Sequence, residues 1–363
     1  MPPSKSDQST AASLTERLSA LGLRQDSFEA LDNAHTFSAK MIERARKTLE
    51  TSFGEHRDFD DCLVFGSIAR REATACSDLD FLLLTNDSDS VPKEKAKEEL
   101  LNQVFTLLSD LAPGDNKFQP PGKTGLFQEF ISAETLIRGI GLQQDTNETL
   151  TRRVLLLEES APLLSPDRHR SLVNRIINSY MELRNPESKN PPRALINDII
   201  RYWRTIAVDY HAKSSRDGAR YSLRYLKLLF SRQVCYFSSI APMYLMTKNS
   251  KGNAIDFLVE QFSTPPISRT VTLFEKLFEN PETQERLQPI FNEIITSMNE
   301  FISLSGDEQW RHKINSECEQ KCPLEEMPSF SEARKRGIEL HQALATTLLD
   351  PALLKFTKEY ILL

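Results

Sequence analysis

Two short apolar runs limit what this chain can fold into more than any other feature. Cys62-Leu63-Val64-Phe65 runs directly into Gly66-Ser67, and Phe81-Leu82-Leu83-Leu84 is headed by Ser77-Asp78-Leu79-Asp80. Each run reads as a short buried strand, over residues 62–65 and 78–84, with the first turns of a helix over 67–72 between them. A solvated turn accounts for Asp78. It does not account for Asp80, which is flanked by Leu79 and Phe81 and continues into the apolar run.

Around these strands the pattern is helical. Ser13 followed by Glu16 forms a capping box, so a helix is expected from there toward Leu23. A longer helix is expected over 27–53, where Phe37, Met41, Ile42 and Ala45 make one stripe. Residues 93–111 read as an amphipathic helix, 113–125 as a loop and 126–131 as a further strand. After about Asp145 the signals change. Asp145 or Thr146 can cap a helix carrying Leu150, Val154, Leu155 and Leu157, and helical periodicity with little strand pattern then runs to Leu363. Residues 186–192 and 263–266 read as connections. The expected fold class is therefore α+β. A disordered tail (1–12) precedes a small α/β domain with a mixed sheet (13–145), and an all-helical domain (146–363) follows.

Composition narrows the class further. The formal net charge is -6, from 45 Lys and Arg against 51 Asp and Glu, which argues against coating nucleic acid with the whole surface. No apolar run has the length of a membrane span, and residues 1–12 lack the apolar core of a signal peptide, so a cytoplasmic protein with no membrane partner is expected. The five cysteines do not form a disulfide framework. Cys318 and Cys322 near His312 lack a fourth zinc ligand and CxxC spacing, and read as reduced thiols in a helical region.

The chemistry lies in the opening stretch. A strand alternates its side chains, so Asp78 and Asp80 are expected on one face, about 7 Å apart. Two such carboxylates repel each other and are costly to desolvate. A divalent cation removes that cost, and hard oxygen ligands suit Mg²⁺. Gly66 lets a phosphate approach the backbone, Ser67 offers a hydroxyl, and the start of the following helix favours an anion. Phosphate cradle and carboxylate pair together describe a nucleoside triphosphate site.

Gly66-Ser67, about ten residues, then Asp78-x-Asp80 on a strand resembles the signature of the DNA polymerase β-type nucleotidyltransferase superfamily. Ala69-Arg70-Arg71-Glu72 resembles that family's helix after the Gly-Ser turn, with Arg71 where a Gly is common, a change that a helix tolerates. The layout of a helical domain after the catalytic core resembles bacterial nucleotidyltransferases related to protein-PII uridylyltransferase. The resemblance implies that Ser67, with Gly66 and Arg70, meets the triphosphate and that Asp78 and Asp80 hold Mg²⁺ (or Mn²⁺). It also implies a third carboxylate from a neighbouring strand, for which Glu129 is the candidate and Asp145 the other.

In the helical half, residues 195–210 place Ile199, Trp203, Ile206 and Tyr210 on one side. Asp198, Arg201, Tyr202, Thr205 and Asp209 fall on the other. Arg220, Arg224 and Lys227 repeat at helical spacing, and residues 193–232 are rich in Lys and Arg. Arg201 and Arg204 are candidates for facing the cleft and holding nucleotide. Each is equally readable as part of a solvated face with local Asp–Arg pairs, and so are Arg152 and Arg153. The expected function is Mg²⁺-dependent transfer of a nucleoside monophosphate from a triphosphate to a hydroxyl, with release of pyrophosphate. The resemblance favours a protein acceptor. The alternatives are RNA 3′-end or signalling-nucleotide synthesis, and an inactive nucleotide-binding regulator.

Overall fold

The computed structural model describes residues 12–54, 58–86, 91–112, 118, 126–184, 190–217, 221–248, 253–319 and 327–362. The expected tail up to residue 11, almost all of the 113–125 loop, residues 185–189, Arg220 and Cys322 lie outside the described residues.

The two apolar runs form adjacent antiparallel strands, β1 (Asp61–Phe65) and β2 (Asp80–Thr85), with Phe65 opposite Asp80. β3 (Glu129–Ser132) runs parallel to β2, with Glu129 aligned on Leu82. β4 (Ser160–Pro162) pairs antiparallel with β1, with Ser160 opposite Phe65. The sheet order is β3-β2-β1-β4, a small mixed sheet. Its two central strands read as near-continuous apolar runs because both faces are covered. Cys62, Val64, Phe81 and Leu83 face a core built with Met41 and Leu49 of α2 (Glu29–Phe53) and Val104 of α4 (Glu94–Ser109). Leu63, Phe65, Leu82 and Leu84 face a second core with Val154 of α6 (Asn147–Glu159), which continues into the helical half. Each of these strand side chains is at most 3% exposed, and burying one of that size contributes about 1.5–3 kcal/mol before entropy is counted.

α1 (Leu14–Ala20) starts at the expected capping box: the Ser13 Oγ accepts from Glu16 N–H, and the Glu16 carboxylate accepts from Ser13 N–H. α3 (Gly66–Arg70) is a single short turn, and α5 (Ala133–Ile137) follows β3. The remainder is helical: α7 (Pro166–Glu182), α8 (Arg193–Asp217), α9 (Tyr221–Lys227) and α10 (Gln233–Lys248) come first. They are followed by α11 (Ala254–Phe262), α12 (Pro266–Leu277), α13 (Pro281–Gly306), α14 (Glu308–Glu319), α15 (Pro328–Leu349) and α16 (Pro351–Tyr360). A five-residue π-helical turn, Leu228–Arg232, joins α9 to α10. The fold is the expected α+β arrangement. None of the described helices is long and apolar enough to cross a membrane.

Four local expectations change. β4 lies beyond residue 145 and completes the sheet, although Ser160-Ala161-Pro162 is too short and too weakly apolar to signal a strand. β3 starts at Glu129 rather than 126, because Gln128 takes a positive φ of 55° while its N–H bonds the Phe81 carbonyl at 2.8 Å. Asp78 precedes β2 instead of belonging to it, so strand alternation does not place it beside Asp80. On α8, Asp198 and Tyr202 are buried rather than on the outer face: Tyr202 joins Ile199 in the core, and the Asp198 carboxylate is satisfied by Arg153 and Tyr180.

Candidate active site

The site forms where the Gly66-Ser67 turn leaves β1 beside the head of β2. Gly66 has φ +66°, and a Cβ built on it would lie 3.1 Å from the Asp80 Oδ2. The bare backbone at Gly66 therefore makes room for the Asp80 carboxylate. Antiparallel pairing of Phe65 with Asp80 fixes this apposition. Asp80 is half-buried, and its carboxyl is pushed up to about 6, first by burial and then by the charge of Asp78. Asp78 is exposed in the loop just before β2, and its Oδ2 lies 3.6 Å from the Lys227 Nζ.

α3 ends after five residues, with Arg71 in the left-handed conformation (φ 63°, ψ 34°). The expectation that a helix tolerates Arg71 easily is thereby corrected: the residue stands where the chain turns, at a conformation that favours Gly. Arg70 is buried. Its buried guanidinium bonds Glu72 through Nε at 2.8 Å and Glu159 through Nη1 at 2.5 Å. It ties the turn to Glu159, the last residue of α6. Arg70 is also among the residues lining the cleft beside Ser67, with its guanidinium already engaged by both acids.

Glu159 is the centre of that support. Its carboxylate is fully buried and also paired with Arg232, at the end of the π turn. Burial opposes its ionisation, but the Arg232 and Arg70 guanidiniums outweigh it and hold the Glu159 carboxyl below its usual range. The sequence signal for Glu159 is the pair Glu158-Glu159 closing an apolar helix, where acids are expected to be solvated. Buried acids there require cationic partners.

A cleft beside Ser67 is closed on its far side by the helical half. Ser67, Ser77, Lys227, Ser231, Ser305 and Arg311 are among the residues lining it. Arg311 donates from Nη1 to the Cys76 carbonyl, and the Cys76 Sγ lies 3.6 Å from the Gly306 carbonyl. The loop carrying Asp78 is thus docked on the corner between α13 and α14. Sequence spacing singled out Lys227 but gave no sign of Arg311.

The other candidates fall elsewhere. Glu129 opens β3, two register positions beyond Asp80 along β2, and its Oε1 is 2.5 Å from the Lys97 Nζ. Asp145 is bound in two-pronged fashion by the buried Arg153, which also reaches Asp198 and the Tyr180 hydroxyl, and Thr146 rather than Asp145 caps α6. This settles Arg153 as a core ion-pair residue. Arg201 bonds Asp198 at 3.0 Å with its side chain 45% exposed, and Arg204 is exposed. Neither is among the residues that line the cleft beside Ser67. Among the described residues no group of three or more His, Cys, Asp or Glu is arranged to hold a metal ion.

Residues 9–112 match the family model described as putative nucleotidyltransferase DUF294, a stretch that includes Gly66, Ser67, Asp78 and Asp80 and ends before Glu129. The match supports a nucleotidyltransferase relationship, and hence a transferase activity, for this part of the chain. No curated protein and no solved structure matches the chain.

Proposed function

We propose that the protein transfers a nucleoside monophosphate from a nucleoside triphosphate to a hydroxyl group, with a protein as the favoured acceptor. The observation that carries this reading is the Asp80 carboxylate set against the bare backbone of Gly66, inside the stretch matched by the nucleotidyltransferase family model. The acceptor oxygen attacks the α-phosphorus as its hydroxyl proton passes to solvent, the bond between that phosphorus and the bridging oxygen breaks, and pyrophosphate leaves.

Asp78 and Asp80 would hold Mg²⁺ or Mn²⁺. The fit rests on Asp80: its carboxyl is raised to about 6 by burial and by its acidic neighbour, a condition a cation relieves. Two carboxylates suffice for Mg²⁺, which usually keeps several waters and takes further oxygens from the substrate phosphates. When bound, such an ion supplies electrostatic stabilisation of the phosphate oxygens. The Gly66-Ser67 turn would meet the phosphates, with Lys227 and Arg311 on the opposite wall. Glu129 would be the third carboxylate only if released from Lys97, and Arg201 and Arg204 receive no nucleotide contact in this reading. The protein acceptor rests on the resemblance to enzymes related to protein-PII uridylyltransferase.

A second reading, a nucleotide-binding regulator without turnover, is favoured by the ion pairs that tie Asp78 to Lys227 and Glu129 to Lys97. One experiment separates them. The purified protein is incubated with each α-³²P-labelled nucleoside triphosphate, Mg²⁺ or Mn²⁺, and cell extract. Label on a protein band is expected; label on RNA or a small product would redirect the acceptor, and no label in any fraction would leave the regulator.

A further inference from the structure

The sequence lets Lys227 be any solvated lysine, but its surroundings do not. It is the last residue of α9, immediately before the π turn, and Arg232 is the turn's last residue. Residues five apart point about 140° apart in a regular α-helix. The wider turn reduces that angle, and both side chains reach acids at the end of the sheet, Lys227 to Asp78 and Arg232 to Glu159. Such turns are rare and often mark functional positions.

The cations in and beside the cleft are not equivalent. Arg70 and Arg232 are both committed to the buried Glu159 carboxylate, and Arg311 to the Cys76 carbonyl. The Lys227–Asp78 pair is different: its 3.6 Å separation is long, and the two side chains are 43% and 52% exposed. A pair of this kind holds weakly and exchanges easily. Ser67 and Lys227 line the same cleft, so an anion that bonds the Ser67 hydroxyl enters the cleft that Lys227 also lines.

We propose that Lys227 is the counter-ion of Asp78 in the nucleotide-free protein and a ligand of the phosphate chain in the bound one. One ammonium passes from carboxylate to phosphate, and Asp78 is left free for a divalent cation as the nucleotide enters. Nucleotide and metal then bind as a linked pair, since each removes the obstacle to the other. This inference rests on the nucleotidyl-transfer reading above and adds to it an order of events at the site.

The test uses two probes that do not depend on the base or on turnover. Mn²⁺ binding to the metal-free protein is measured by electron paramagnetic resonance, and binding of inorganic tripolyphosphate in EDTA by calorimetry. Removing a half-exposed counter-ion in Lys227→Met is expected to tighten Mn²⁺ about fivefold. Losing a charge-assisted contact is expected to weaken tripolyphosphate about tenfold in the same variant. The two shifts are opposite in sign, whereas loss of a lysine that only supports the fold would weaken both probes. Asp78→Asn provides the reciprocal arm: Mn²⁺ binding falls while tripolyphosphate binding tightens. If the wild type binds both probes and Lys227→Met moves them together or not at all, the exchange is wrong and the nucleotide site stands. If the wild type binds neither probe, the exchange and the nucleotidyl-transfer reading fall together.

Discussion

Replacing Asp80 by Asn should stabilise the metal-free protein while removing its function. The Asp80 carboxyl is raised from 3.8 to about 6, by burial first and by the Asp78 charge second. That difference corresponds to about 3 kcal/mol at ~1.36 kcal/mol per unit, an upper limit on the strain the ionised site holds. Asn still has to desolvate an amide, so the expected gain at pH 7.5 is about 1–2 kcal/mol. The sign follows from proton linkage: with the folded pKa above the unfolded one, the folded state binds the proton more tightly. The penalty is therefore complete above about pH 6 and disappears as pH falls through 6 toward 3.8. Urea unfolding of both proteins in EDTA at pH 7.5, 6 and 5 measures the gap, which should shrink stepwise with acidity. Added Mn²⁺ should then stabilise the wild type and leave the variant unmoved. A variant no more stable than the wild type at pH 7.5, or a gap independent of pH, would refute the electrostatic account of the site.

Three further outcomes are expected. Gly66→Ala places a Cβ 3.1 Å from the Asp80 Oδ2 at a positive φ. It should cost about 1–2 kcal/mol of stability and weaken Mn²⁺ binding, and a variant equal to wild type in both would show that the close approach is not needed. Arg71→Gly relieves a left-handed residue whose Nη1 is buried without a hydrogen-bond partner, so a gain of about 1 kcal/mol in urea unfolding is expected and a loss would count against strain there. His169 is buried against the Ser160 Oγ at 2.7 Å, and burial lowers its pKa to about 4. It contributes stability that is present above about 6.5 and lost as pH falls toward 4, so His169→Gln should flatten that part of the acid unfolding profile.

The residues that could be read from the sequence are those whose environment is local. β1 and β2 were legible because both faces of the sheet are covered, which turns burial into an unbroken apolar run, and the Ser13–Glu16 box was legible because both of its bonds lie within one turn. Gly66 and Asp80 were legible as motif members, but the reason for the glycine was not. The space it leaves is filled by a carboxylate from the neighbouring strand, and that depends on the Phe65–Asp80 register. Arg153, Asp198 and Glu159 were misread or missed for a shared reason. Charged side chains were expected in water or facing a cleft, whereas here each is buried against partners distant in the sequence, and isolated periodicity cannot distinguish a buried ion pair from a solvated face.

The same limit explains why α8 drew attention ahead of the π turn. Arg201 and Arg204 stand on a helix whose amphipathic pattern can be counted, while the hydrogen-bond register that brings Lys227 to Asp78 and Arg232 to Glu159 leaves no period in the sequence. The face opposite an apolar stripe is oriented by packing, but orientation alone does not make it a cleft. What separates Lys227 from Arg201 is the partner: Asp78 belongs to the carboxylate pair beside Gly66, whereas the Asp198 that holds Arg201 is already shared with Arg153 and Tyr180 inside the helical core. The helical half therefore reaches the Gly66-Ser67 turn through a defect in a helix rather than through a regular face. Restoring regular α-helical register there, by deleting Ser231, should separate Lys227 from Asp78 or Arg232 from Glu159. The expected result is lower thermal stability together with loss of the Lys227-dependent shift in Mn²⁺ affinity. Full retention of both would mean that the π turn has no part in holding the two acids.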